Sequence, residues 1–383
     1  MSIAIVVVSQ EGINIARRLL TLYPQASVYV TPRLLPIEKE VKGSKLPGEK
    51  DLKDSVLPLE RGGMEWGWPL HFLEGNFTKA IAKIFNQNQL LIFVSAVAVA
   101  VRAIAPSLQG KDKDPAVVVI DDRSHFVISL LSGHLGGANE ATQKIARFLQ
   151  ACPVVTTATD CRGITAFDDL ARRLSWKIEN LPDLKKISAA LLEERKIYLL
   201  SDKPFKYPLK GNIERAESEQ DLELAVNGYV LISNRLEPLS HYPPYPYILL
   251  RPTSITAGVG CRKGISAAAI IRAVENAFTK AGLSLSSLSC LATGEFKAEE
   301  EGLISAAAHF KVPLRIFTGK EIEQQIGTSA ISEFVKNQVG VGAVAEPCAR
   351  LGSGGGPLLL EVQRGEGITV ALAESLFYPA QEV

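Results

Sequence analysis

The sequence predicts an α/β protein in which N-terminal and C-terminal α/β domains flank a smaller α/β middle segment. Three observations carry that expectation. Short apolar runs, such as residues 3–8, 90–94 and 116–120, alternate with segments whose apolar residues recur every three or four positions. Twice, at residues 126–149 and 254–274, a strand-like run enters a glycine-rich loop and then a helical pattern. A stiff proline-rich crossing, Tyr242-Pro-Pro-Tyr-Pro-Tyr247, precedes the last region. These signals place the domains at residues 1–150, 151–245 and 250–383.

In chain order, the strand at 3–8 is followed by Gly12 and a helix with Ile13, Ala16 and Leu19 on one face, then a strand at 27–30. Residues 38–61 carry six acidic and six basic residues with almost no apolar period, so an exposed, mobile insertion is expected over about 38–66. Alternation resumes at 70–73, 77–85 and 90–94, and a helix through Val97, Val101 and Ile104 stops at Pro106. Runs 116–120 and 126–131 read as a hairpin connected by Asp121-Asp122-Arg123-Ser124-His125. A helix from Ala138 to Leu149, with Asn139 as its cap, and a strand at 153–158 follow. Thr165 and Asp168 form a T-x-x-D box opening another helix. Helices at 181–194 and 218–225 with strands at 197–200 and 229–233 complete the middle. The last region alternates strands at 254–257, 288–292 and 314–317 with helices, and closes on a hairpin of 358–362 and 369–373.

Composition narrows the function classes. The chain is 46% hydrophobic and 22% charged, an ordinary globular balance. A formal net charge of +1 provides no global field for nucleic acid or a membrane surface. The longest apolar run, residues 90–101, stops at Arg102, short of the roughly 20 residues that span a bilayer. The opening MSIAIVVVSQEG reads as a strand at once, with no basic n-region, so a cytoplasmic location is expected. Five cysteines without a CxxC pair argue against a disulfide framework and against a zinc site.

The candidate site residues lie in the two glycine regions. Ser132-Gly-His-Leu-Gly-Gly137 surrounds His134 with three glycines, Gly133, Gly136 and Gly137, immediately before a helix. Amides at a helix N-terminus favour anions, and the dipole there is expected to keep a nearby imidazole neutral and able to accept a proton. His134 is therefore read as a general base, with Glu140 as its partner or as ordinary dipole compensation, and the amides around Gly136 and Gly137 as oxyanion donors. Ser132, Gly133 and Asn139 would line the ligand; Ser132 has no Gly-x-Ser-x-Gly setting and is not a nucleophile. Asp121 and Asp122 invite an acid–base reading, but aspartate is a turn former and the connector reading is preferred. Arg102 would anchor an anion near the site, although a surface arginine is the plainer reading.

In the second region, Gly258-Val-Gly-Cys-Arg-Lys-Gly264 has glycines spaced two then four, which is neither a dinucleotide fingerprint nor a phosphate loop. Gly258, Gly260, Arg262, Lys263 and Gly264 would form a carboxylate or phosphate cradle; a tight turn with solvated cations is the alternative, and both stay open. Glu346 would line this second site or sit in a turn. Cys348 reads as a buried small hydrophobe.

Taken together, DPAVVVIDD, FVISLLSGHLGGAN and PVVTTATD in the first half, with GVGCRKG, FKAEEEGL and VGVGAVAEPCA in the second, resemble the cobalt-precorrin-5A hydrolase (CbiG) family of anaerobic cobalamin biosynthesis. The resemblance implies a ring-contracted cobalt tetrapyrrole substrate bearing a δ-lactone and many carboxylate arms. It implies hydrolysis of that lactone with release of acetaldehyde to give cobalt-precorrin-5B. Cobalt would be carried by the substrate, so no cofactor and no partner beyond this small molecule is implied, and a homodimer is compatible with it. It also implies that the C-terminal portion is a module that exists separately in the oxygen-dependent pathway, which points to chemistry at the N-terminal loop. A non-catalytic tetrapyrrole carrier and a phosphate- or nucleotide-handling enzyme are the rival classes.

Overall fold

A computed structural model describes residues 1–31, 34, 70–73, 75–110, 113–203, 205, 207–326 and 344–375. The insertion expected over 38–66 lies outside these residues, as do 329–336 and the first part of the 339–349 run. The chain forms two compact units, Met1–Arg162 and Gly163–Val383.

The first unit is a doubly wound sheet. Its strands are β1 (Ile3–Val7), β2 (Ser27–Val30), β3 (Leu70–Phe72), β4 (Leu90–Val94), β5 (Ala116–Ile120), β6 (Phe126–Leu131) and β7 (Cys152–Val154), in the order β3-β2-β1-β4-β5-β6-β7. The first five are mutually parallel; β6 runs antiparallel to β5, and β7 parallel to β6. Central strands β1, β4 and β5 are buried along their whole length, as a sheet covered on both faces requires. Helices α1 (Gln10–Leu22) and α4 (Ala138–Leu149) cover one face, over Ile3, Ile5, Val7 and Ile92. Helices α2 (Phe77–Gln87) and α3 (Val97–Ile104) cover the other, over Ala4, Val6, Leu91 and Phe93. Each fully buried Ile or Leu here stabilises the unit by roughly 1.5–3 kcal/mol. The connector between β5 and β6 is a turn: Asp121 accepts the Phe126 amide at 2.6 Å and the Arg123 amide at 3.2 Å.

Two local expectations change. The run at 153–158 is strand only through Val154, and Ala158–Arg162 forms a short helix, α5. With it the first unit extends to Arg162, beyond the boundary read at residue 150. The T-x-x-D box does not cap α6 (Phe167–Arg173): Ala166 is its N-cap, while the Thr165 hydroxyl accepts the Lys210 amide at 2.7 Å.

The second unit holds two sheets. The middle one comprises β8 (Lys177–Glu179), β9 (Ile197–Ser201), β10 (Ile213–Arg215), β11 (Tyr229–Ile232) and β12 (Tyr247–Arg251), ordered β10-β9-β11-β12-β8, with α6 and α7 (Leu181–Leu192) packed on it. Since β12 begins at Tyr247, the proline crossing is a connection within this sheet, not its end. The C-terminal sheet comprises β13 (Ile255–Cys261), β14 (Leu288–Gly294), β15 (Leu314–Phe317), β16 (Leu358–Gly365) and β17 (Ile368–Glu374), ordered β15-β14-β13-β17-β16. Its helices are α8 (Ala267–Lys280), α9 (Glu301–Phe310), α10 (Gly319–Ile326) and α11 (Ala345–Gly352). A buried polar knot ties the two sheets. Glu374, at the end of β17, pairs with Lys203 and accepts the Asn234 amide at 2.8 Å; Asn234 also donates to Ser254 at 2.8 Å and accepts from Ser287 at 2.9 Å.

Candidate functional site

The reversal at β6 decides where His134 lies. Because β6 is antiparallel to β5, with Val117 opposite Leu131 and Ile120 opposite Val127, its carboxyl end sits beside the start of β5. The loop carrying His134 therefore emerges at the edge opposite the carboxyl ends of β1, β4 and β5. Strand β7 runs alongside β6 in the same direction, Phe126 opposite Cys152, and delivers Thr157 and α5 to that same edge. Asp121 and Asp122 sit at the other edge, where Asp122 accepts the Ser9 hydroxyl at 2.6 Å.

At the end of β6 and β7 a polar network assembles. His134 Nε2 meets Asp160 Oδ2 at 2.8 Å, with the Thr159 hydroxyl 3.2 Å from the same nitrogen. Thr157 donates to Asp160 at 2.8 Å. Asn139, in the first turn of α4, donates to Asp160 at 2.9 Å and to Thr157 at 2.7 Å, and accepts the Ser129 hydroxyl at 2.6 Å. Asn139 and Thr159 are buried, and the His134 side chain is 14% exposed. Burial pushes the Asp160 carboxyl up, but hydrogen bonds from His134, Thr157 and Asn139, together with the charge of His134, hold it below the usual carboxylate range. An ionised Asp160 only accepts hydrogen bonds, so Nε2 carries the hydrogen at this contact.

The glycines serve the loop itself. Gly137 is the N-cap of α4 at φ +84°, a conformation that favours glycine, and its amide donates to the His134 carbonyl at 2.9 Å. The Ala138 and Asn139 amides donate to the carbonyls of Ser132 and Gly133 at 3.2 and 3.0 Å. Oxyanion donation expected of Gly137 is thus met internally. Gly133 and Gly136 lie directly under the side chains of Asn139 and Ser132. Asn139 is not the cap expected of it, since Gly137 holds that place and the Asn139 side chain reaches across to Asp160. The Ser132 hydroxyl donates to the Asp114 carbonyl at 2.9 Å, fastening the loop to the start of β5.

The remaining expected residues fall elsewhere. Asp160 is the carboxylate at the imidazole; Glu140 is exposed on α4, and its charge adds to burial in raising the Tyr23 phenol. Arg102 is exposed in the last turn of α3, on the face of the sheet opposite α4, which corrects its expected place as an anion anchor beside the imidazole. In the second unit, Gly258 and Gly260 are buried within β13 and form no loop. A Cβ at Gly258 would lie 1.9 Å from the Ala345 carbonyl oxygen, so this glycine admits α11. The Gly264 amide donates to Glu300 at 2.6 Å, and Glu300 also pairs with Lys297 at 3.2 Å, so the expected cradle already holds a carboxylate of the chain. Arg262 and Lys263 are exposed. Glu346 accepts the Val362 amide at 2.8 Å and braces β16.

Sequence reasoning passed over Thr157, Thr159 and Asp160. Their signal was the polar TTATD run at the end of an apolar strand, directly before a helix. Among the described residues no group of three or more His, Cys, Asp or Glu could hold a metal ion, and no helix is long and apolar enough to cross a membrane.

Family models describing the N-terminal region, central region and C-terminus of cobalamin synthesis protein G match residues 79–160, 165–252 and 255–373. A cobalt-precorrin-5A hydrolase of Priestia megaterium is 30% identical over 97% of this chain and 94% of its own length. The chain belongs to the cobalt-precorrin-5A hydrolase family. A Salmonella typhimurium protein of the same name is 34% identical over 78% of this chain and 86% of its own. A solved cobalamin biosynthesis protein G homologue from Sulfolobus solfataricus aligns over 97% of both chains at 20% identity and a TM-score of 0.39. Within this hydrolase family assignment, the N-terminal match ends at Asp160, so it contains the whole His134 network.

Proposed function

We propose that the chain opens the δ-lactone of cobalt-precorrin-5A with water and releases acetaldehyde, leaving cobalt-precorrin-5B. The names of the Priestia megaterium and Salmonella typhimurium relatives support the substrate. The observation that carries the chemistry is the 2.8 Å contact between His134 Nε2 and Asp160. With Nε2–H held on Asp160, His134 takes a proton from water as the water oxygen adds to the lactone carbonyl. The acyl C–O bond then breaks as the imidazolium returns its proton to the departing ring oxygen, which leaves as an alcohol. His134 next takes the alcohol proton as an aldehyde C=O forms and the carbon–carbon bond to the macrocycle breaks; the electron pair passes into the conjugated ring, and the imidazolium gives its proton to water. Asp160 orients the imidazole and stabilises the imidazolium that forms, in the manner of a catalytic triad carboxylate. Asn139 and Thr157 position Asp160. Cobalt enters and leaves with the substrate, and the mechanism draws on no protein cofactor.

The test is to add the lactone substrate and trap acetaldehyde. Wild-type protein releases aldehyde, whereas His134→Ala binds the substrate and releases none. Aldehyde release by His134→Ala near the wild-type rate removes His134 from its role. Tight binding by wild-type protein without any aldehyde makes the chain a carrier.

A further inference from the structure

The hydrogen bonds around Asp160 all run one way. His134 Nε2, the Thr157 hydroxyl and Asn139 Nδ2 lie 2.8, 2.8 and 2.9 Å from the same oxygen, Oδ2. Helix α5 does little to fix this carboxylate, since it is five residues long and buries only Thr159. The Asp160 side chain stays 29% exposed. Its place is therefore set by donors and not by packing. The Thr159 hydroxyl, 3.2 Å from Nε2, does not select a tautomer, because a hydroxyl accepts a ring N–H or donates to a bare ring nitrogen. Of these two groups, the carboxylate alone demands a hydrogen on Nε2. Slackening of Asp160 thus weakens the preference for that tautomer.

The firmness of Asp160 traces back to one buried amide. Asn139 faces Asp160 at 2.9 Å and the Thr157 oxygen at 2.7 Å. The atom there must be Nδ2, because an oxygen in its place would meet an ionised carboxylate. Oδ1 is then turned towards β6, where the Ser129 hydroxyl donates to it at 2.6 Å. A donor at Oδ1 polarises the amide, strengthens Nδ2–H as a donor and keeps the group from swinging. The chain of donors therefore starts at Ser129 and ends at Asp160.

A register shift in the sheet puts that hydroxyl in place. β6 pairs Val127 with Ile120, Ile128 with Val119 and Ser129 with Val118, but then Leu131 with Val117. Leu130 is the extra residue of a bulge, a device that re-aims side chains. Val127 packs on the α1–α4 face, whereas Ile128, Leu130 and Leu131 all pack on the opposite one. By the two-residue period Ser129 shares the Val127 face, so it is the last residue of β6 turned to α4. It is also the polar exception in the strand FVISLL.

We propose that Ser129 is a positioning residue for His134, acting through Asn139 and Asp160 to keep the hydrogen on Nε2. Its effect on turnover rests on the hydrolytic reading; its effect on the imidazole does not.

The test compares Ser129→Thr, which keeps the hydroxyl, with Ser129→Val, which has the same shape without it, and with the smaller Ser129→Ala. Nitrogen-15 spectra of the histidine-labelled full chain read the tautomer, His134 being assigned by its loss in His134→Gln. Wild type and Ser129→Thr show a protonated Nε2, whereas Ser129→Val and Ser129→Ala move Nε2 towards the bare-nitrogen position, with circular dichroism confirming an intact fold. In acetaldehyde release Ser129→Val loses about tenfold in kcat, the worth of one neutral hydrogen bond, with KM within about twofold of wild type. Ser129→Thr restores the rate. A wild-type spectrum in Ser129→Val, a Ser129→Thr protein that shifts as Ser129→Val does, or a loss confined to KM overturns the proposal. The spectra need no turnover: a wild-type protein that releases no acetaldehyde defeats the hydrolytic reading and leaves the coupling of Ser129 to His134 to be decided by the spectra.

Discussion

Asp160 governs both the orientation of His134 and the acid stability of the first unit. Its carboxyl is held low because its hydrogen bonds and the charge of His134 outweigh the opposing effect of burial. A depressed folded-state value stabilises the fold above the unfolded value, roughly pH 4, and this contribution disappears as pH falls through the folded one. Asp160→Asn should therefore melt below wild type at neutral pH, and the gap should close as the pH drops below about 4. The same variant should lose about 10²–10⁴-fold in acetaldehyde release, because the amide can present the wrong group to Nε2. Thiol chemistry separates the cysteines equally sharply. Burial, with a further contribution from Glu321, pushes the Cys348 thiol up to about 12, and Cys261 and Cys290 are also buried. A thiol reagent should label exposed Cys152 and Cys161 in the native protein and reach the other three only after unfolding. At this scale the strand, glycine loop and helix start around His134 were legible, whereas the reach of Asn139 to Asp160 was not, because the sequence reads Asn139 as a cap and Gly137 takes that place. Asp160 was not. Its approach to His134 depends on β7 pairing in parallel with β6, a tertiary fact that the spacing of 26 positions does not encode.

Among the elements, β6 and β13 show what pattern reading can and cannot decide. The alternation of apolar runs and helices made the α/β class, the β5–β6 hairpin and the demotion of Asp121 and Asp122 legible. The strands β8 and β10 were not, because two of the three residues in each are charged and present no apolar run. The glycines of β13 were taken for a loop because glycine usually breaks strands. Here the close approach of α11 requires it. Gly258→Ala should accordingly destabilise the protein by about 3 kcal/mol or more, measured as a lower denaturant midpoint, since the neighbouring contact is backbone and cannot swing aside. An unchanged midpoint would show that α11 does not pack as described.

On the scale of the whole molecule, the middle and C-terminal sheets share one unit through the knot at Glu374. Removing the acceptor of a buried hydrogen bond typically costs about 1–3 kcal/mol. Glu374→Ala strips the buried Asn234 amide of this acceptor and should therefore lower the stability of the second unit by that order, with hydrogen exchange accelerating in β11 and β17 together. Exchange confined to β17 would mean that the sheets open independently. The first unit has a different economy of construction. Every residue of the His134 network, from Ser129 to Asp160, comes from one unbroken run that makes β6, α4, β7 and α5. Its inheritance is correspondingly simple. A recombination breakpoint before Phe126 or after Arg162 passes the complete constellation to a descendant in one piece. Lineages can then exchange or remodel the flanking stretches of the gene while this cassette keeps its internal geometry.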